Sequence, residues 1–239
     1  TAEAFVQTMP GVVVALEAIA DGRSDAITRW LGENQVALET MLVANPLTGV
    51  DHETLAELLE SFLASQSRFT ALCVYDLNGA VLAATDPALS GAQVADQPYF
   101  RASLSEPLTQ PPTLDAASGA LTMIVTRPIF DIEGATVGVL AGRVNLATLD
   151  DLFAEPTAYE QQIATYLEVE IGASSYLVAG ANRTMLAPAD LAAGARVDSS
   201  SIARALAGES GVAPSQNWRG EAVVSAFRWV PALNAALIV

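Results

Sequence analysis

The residues best placed to do chemistry lie in the middle of the chain. Arg143 follows the small-residue run Gly138-Val139-Leu140-Ala141-Gly142. A guanidinium set into such a strand is costly if buried alone. It needs either an acid partner (Asp131, Glu133 or a helix acid at the edge of the module) or an anionic ligand. Alternation along Leu121–Phe130 puts Thr122, Ile124 and Thr126 on one face. Two hydroxyls around one apolar side chain suit a partly polar cavity. On the returning strand Val139, Ala141 and Arg143 share a face. Tyr99 and Phe100 supply ligand walls or core packing, and both readings stay open. The chemistry these types can do is recognition of a small molecule, with a carboxylate or other small anion matched to Arg143.

The rest of the composition argues against reaction chemistry. Eleven basic residues are all arginine, and there is one histidine, His52. Without lysine there is no Schiff base and no P-loop contact. A nucleophilic triad would have to use His52. A transition-metal site would have one imidazole and the single thiol Cys73, which sits in an apolar run and reads as core. Paired acids such as Asp150-Asp151 or Glu168/Glu170 have no nucleophile beside them. A net charge of −16 removes the cationic surface that nucleic acid needs. No apolar run approaches the ~20 residues of a membrane span.

The elements that hold these residues follow from periodicity. Residues 12–44 read as a long helix, with Ile27, Trp30, Leu31, Leu38, Met41 and Leu42 on one face. Asn45-Pro46 ends it. Asp51 caps a second helix over about 52–66. Phe69–Tyr75 and Val81–Thr85 form a hairpin around Asp76-Leu77-Asn78-Gly79. Tyr99–Leu104 is helical and Pro107–Gly119 a long loop. Leu121–Phe130 and Ala135–Leu146 form a second hairpin around Asp131-Ile132-Glu133-Gly134. A helix over 157–168 leads into a shorter cycle: strands Ser174–Ala179 and Thr184–Leu186, helix Asp198–Leu206, a hairpin through Trp218 to Trp229, and a closing strand Leu233–Val239. Trp218 and Trp229 read as core, and His52 as solvated beside its helix cap. Antiparallel hairpins interrupted by helices predict an α+β fold, with a structural repeat between 69–150 and 172–239. Thr1 and a final strand with nothing after it suggest a piece of a longer protein.

Several segments in order resemble the double-Cache family of extracytoplasmic bacterial sensor domains. They are Asp76–Ala84, Asp96–Leu104 with its Pro98-Tyr99-Phe100-Arg101-Ala102 core, Arg127–Leu140, Ser175–Val178 and Trp218–Val223. Each alone is weak, but together they span nearly the whole chain. The resemblance implies a long N-terminal helix packed against two tandem PAS-like modules with antiparallel sheets. Its parts would be a helical region over 1–66, a membrane-distal ligand-binding module over 67–155 and a membrane-proximal module over 156–239. It also implies flanking transmembrane helices, a small-molecule ligand, no cofactor, and an output such as a histidine kinase, chemoreceptor, cyclase or phosphatase.

The site residues expected on that basis are Tyr75, Tyr99, Phe100, Arg101 and Thr113, with Thr122, Ile124, Thr126 and Arg143. Family members that bind amino acids carry an aspartate where Arg143 stands and an arginine where Gln97 stands, so the resemblance departs from the amino-acid pattern at both points. Two rival functions remain. One is a structural module without ligand that dimerises through the long helix. The other is a hydrolase.

Overall fold

A computed structural model of the chain describes residues 10–45, 47–114, 121–153, 160–161, 175–180, 182–188 and 195–239. The first helix, α1 (Pro10–Ala44), buries Ile19, Ile27, Trp30, Leu38 and Met41. Steps of eight and three residues keep these on one stripe. The helix ends at Asn45, whose N–H still reaches Met41 O at 2.9 Å. Helix α2 (His52–Ser65) starts where Asp51 accepts Thr54 N–H, and buries Leu55 and Leu59.

The described residues divide into two compact units. One runs from Trp30 to Asn145 and carries a five-stranded antiparallel sheet. Its strands are β1 (Phe69–Tyr75), β2 (Val81–Ala84), β3 (Leu108–Leu114), β4 (Leu121–Phe130) and β5 (Thr136–Val144), in the order β2-β1-β5-β4-β3. The short helix α3 (Pro98–Ser103) lies between β2 and β3 in sequence. The β1–β2 turn needs Gly79. Its φ is +77°, and a Cβ there would stand 2.5 Å from Ala95 N.

The other unit takes the chain up to Arg29 and from Leu146 onward. It contains the short helix α4 (Ala147–Asp150), β6 (Tyr176–Ala179), β7 (Met185–Ala187), helix α5 (Ser200–Leu206), β8 (Gly211–Gln216), β9 (Ala222–Val230) and β10 (Ala235–Ile238). Its sheet order is β7-β6-β10-β9-β8. The second sheet thus repeats the connectivity of the first, strand for strand. This α+β arrangement of a long helix and two antiparallel sheets is the expected fold class. Within this unit Arg23 on α1 makes a bidentate ion pair with Glu160, at 2.9 and 2.8 Å, both buried.

Two expectations need correction. Leu108–Leu114 is a strand, not loop. Pro111 and Pro112 fall where the β3–β4 register slips, between Gln110 and Thr113, and β3 is an edge strand, where a missing N–H is tolerated. Gly211–Gln216, where the sequence predicts no element, is also an edge strand, with Pro214 inside it. Trp229 is 40% exposed: it shares a face of β9 with Phe227 but stands beyond the end of α5, next to Gly208. Trp218 is half-buried against that core, stacked by Arg219 at 4.5 Å. Of the helix expected over 157–168, Glu160 and Gln161 are helical; the rest of that segment and Glu168/Glu170 lie outside the described residues.

Candidate ligand-binding site

One face of the first sheet carries a cavity of about 180 Å³. Register explains who meets there. Arg143 on β5 lies between Ala71 on β1 and Ile124 on β4, and the next row is Cys73, Ala141 and Thr126. Ala71, Cys73, Tyr75, Ile124, Ala141 and Arg143 line the cavity, with Thr122 beyond them. Tyr99 from α3 and Leu89, Ala92 and Val94 from the connector close the other side.

The polar groups of this cavity divide by charge. Burial pushes the Tyr75 phenol well above its usual pKa, helped by the neighbouring Cys73 and Tyr99. Burial also raises Tyr99 and pushes the Cys73 thiol up to about 11. All three are therefore neutral at pH 7. Arg143 is the charged side chain among the lining residues. It donates from Nη1 to Asp86 Oδ2 at 2.9 Å, with about a third of its side chain exposed. The other Asp86 oxygen accepts Ala88 N–H at 3.0 Å. That backbone bond first, and Arg143 second, hold the Asp86 carboxyl below the usual carboxylate range. Arg143 thus has an acid partner, and it is Asp86 rather than Asp131, Glu133 or a helix acid. Asp131 spends its Oδ1 on the N–H groups of Glu133 and Ala135 inside its own turn.

Of the residues expected at the site, the cavity brings together Tyr75, Tyr99, Thr122, Ile124 and Arg143. Phe100 does not line it. It is buried in the core and packs edge-on against Tyr75, with ring centroids 5.9 Å apart. Arg101 is exposed and donates to Asp96 Oδ1 at 2.9 Å and Ala95 O at 3.0 Å. Thr113 is exposed on β3, where its carbonyl accepts from Thr122 Oγ1. Thr126 is buried, and its hydroxyl is engaged by Ser103 Oγ, which ties α3 to the sheet. Gln97 is exposed at the start of α3. Sequence reasoning missed Asp86, which lies 57 positions from its partner, and the connector residues Leu89, Ala92 and Val94. The Asp86-Pro87 step that starts a short 3-10 turn was the available signal.

The family model described as "Cache domain", in its double form, matches residues 12–239. The chain belongs to the double-Cache family. Double-Cache domains are extracellular sensor modules of membrane receptors such as histidine kinases and chemoreceptors, and they bind ligands rather than catalyse reactions. The fold has several solved counterparts. The ligand-binding domain of the Campylobacter jejuni chemoreceptor Tlp3, in complex with 4-methylisoleucine, superposes with a TM-score of 0.68 at 13% identity, covering 94% of this chain and 88% of that one. The extracellular domain of rpHK1S-Z16, assigned as a histidine kinase, gives 0.66 at 14% identity over 98% and 94%. The ligand-binding domain of the Pseudomonas fluorescens chemoreceptor CtaA, in complex with L-isoleucine, gives 0.61 at 18% identity over 100% and 94%. No curated protein matches this double-Cache chain. No helix of its described residues is long and apolar enough to cross a membrane.

Proposed function

We propose that this double-Cache chain is the sensing region of a bacterial transmembrane receptor, that the first-sheet cavity is its ligand site, and that the ligand is a small monocarboxylate. The observation that carries this reading is the charge of the lining, with one guanidinium and no acid among the described lining residues. A carboxylate has Arg143 to bind and the hydroxyls of Tyr75, Tyr99 and Thr122 to accept or donate beside it. An α-ammonium finds no acid among the lining residues and would have to share Asp86 with Ala88 N–H and Arg143. Tlp3 and CtaA hold amino acids in the solved complexes; here the exposed Gln97 and the cationic Arg143 favour a ligand without the ammonium. At about 180 Å³ the cavity is smaller than the ~300–1,000 Å³ of drug-sized sites, so a chain of a few carbons fits.

In this reading residues 67–155 form the membrane-distal module and 156–239 the membrane-proximal one, with 1–66 as the helical region and transmembrane helices on either side. The output is a kinase, chemoreceptor, cyclase or phosphatase in the cytoplasm. Ligand shifts a conformational equilibrium only by its difference in affinity for the two states, and the sealing of Tyr99 and the Leu89–Val94 connector over the sheet supplies that difference. Val36 and Val43, 57% and 81% exposed and one heptad apart on α1, support a homodimer through that helix. A thermal-shift panel of short monocarboxylates, amino acids, sugars and amines tests the reading. Stabilisation by the acids alone supports it. A flat panel favours the ligand-free structural module, and amino-acid selectivity overturns the ligand class.

A further inference from the structure

The same sheet has a second cavity, about 260 Å³, on its opposite face. On β1 the first cavity takes Cys73 and Tyr75, whereas the second takes Val74. On β4 the first takes Thr122 and Ile124, and the second takes Ile129. Its roof is the α1–α2 connector, from Leu47 to Val50, with Leu55 of α2. The lining is apolar apart from Thr48 and His52, and no arginine, aspartate or glutamate stands in it.

His52 is the chain's single histidine, and its ring is committed in one direction. Nδ1 lies 2.8 Å from Leu82 O. A carbonyl can only accept, so in the neutral ring Nδ1 carries the proton and Nε2 is an acceptor. The imidazole of an exposed residue that lines this apolar cavity thus has one free acceptor, Nε2. With no cation in the lining and a net charge of −16 over the chain, a carboxylate or phosphate is disfavoured. With no acid in the lining, an amine has no counter-ion.

We propose that this cavity is a second binding site, for a small neutral alcohol whose hydroxyl donates to His52 Nε2 and whose hydrocarbon body packs on Leu55, Val74, Leu82, Ile129 and Val137. Gly138 lines the cavity where β5 runs close beside β1, an approach that leaves no room for a side chain. A Cβ there would come 2.6 Å from Tyr75 O. The half-exposed Val137 and the exposed His52 form the mouth.

The single histidine makes the test direct. The isotope-labelled 239-residue chain gives one imidazole resonance set, which is followed by NMR while cyclohexanol is added. A saturable shift of the His52 signal, with a Tm rise of several degrees at millimolar alcohol, is expected. Cyclohexanecarboxylate and cyclohexylamine should leave the His52 signal unchanged. Val137→Trp, which fills the mouth, should abolish the response. Should that variant not fold, His52→Phe at the exposed position should weaken cyclohexanol about tenfold by calorimetry while leaving methylcyclohexane binding unchanged. Arg143→Ala should leave the alcohol response intact, which separates this site from the carboxylate site. No saturable shift, an equal response to the acid or the amine, or an undiminished response in both cavity variants overturns the proposal.

Discussion

Arg143 and Asp86 stand 2.9 Å apart at the wall of the first-sheet cavity, and the aspartate that neutralises the arginine also caps the short 3-10 turn beginning at Pro87. The pair couples the binding cation to the connector that carries Leu89 and Val94 over the cavity. An incoming carboxylate competes with Asp86 for the same guanidinium. Asp86→Ala should therefore tighten carboxylate binding several-fold in calorimetry, and lower Tm mainly through the lost cap on the Pro87 turn, since a partly exposed ion pair contributes little.

The same pair has a pH signature. Asp86 is held below the ordinary carboxylate range in the folded chain, first by Ala88 N–H and then by Arg143. A depressed folded pKa gives stability that is present above the unfolded pKa of about 3.9 and lost as pH falls through the lower folded value. The Tm difference between the wild type and Asp86→Asn should be full at neutral pH and should close on acidification below the carboxylate range. A difference that grows on acidification would exclude this origin.

Ser103 and Thr126 share a buried hydroxyl–hydroxyl contact that holds α3 against β4. Thr126→Val or Ser103→Ala removes this bond but leaves the surviving hydroxyl a backbone acceptor, Tyr99 O for Ser103 and Leu108 O for Thr126, so each should cost about 0.5–1.5 kcal/mol. The double variant should cost less than the sum of the two, as read by a double-mutant cycle in urea. Ligand affinity should fall with either single change, because α3 carries Tyr99.

In the other unit, the bidentate pair Arg23–Glu160 is more than nine-tenths buried on both sides. Removing one partner of a buried ion pair is strongly destabilising, about 3–5 kcal/mol. Glu160→Ala should lower the unfolding free energy by that order, with amide exchange accelerated in β6 and β10, while carboxylate binding stays unchanged.

The phenols of the first cavity should be spectroscopically silent at moderate alkali. Tyr75 lies well above the normal phenol pKa through burial, Cys73 and Tyr99, and Tyr176 in the other unit is pushed up to about 12 by burial. An absorbance titration of the folded chain should show these two ionising only above the ~10 of a free phenol, and both in the normal range in denaturant.

Much of this was readable from residue order. Alternation alone puts Ile124 and Arg143 on the cavity face, because a buried antiparallel sheet leaves no freedom in side-chain parity. The ends of β1 and β4 follow from their β-branched and aromatic runs and the turns beside them. What alternation misses is what crosses the sequence. Asp86 reaches Arg143 only because the connector folds back, and Thr126 shares Ile124's face yet is consumed by Ser103. β3 and β8 escaped because edge strands tolerate Pro111, Pro112 and Pro214, the residues that signal loops elsewhere. Arg101 and Thr113 look like ligand groups by position, but both are exposed.

The most direct test of the account is isothermal calorimetry of short monocarboxylates on the wild type and on Arg143→Ala. The account predicts binding to the wild type and at least a tenfold loss in the variant, with the fold unchanged by circular dichroism. Tight binding of a zwitterionic amino acid, equal in the two proteins, would contradict it.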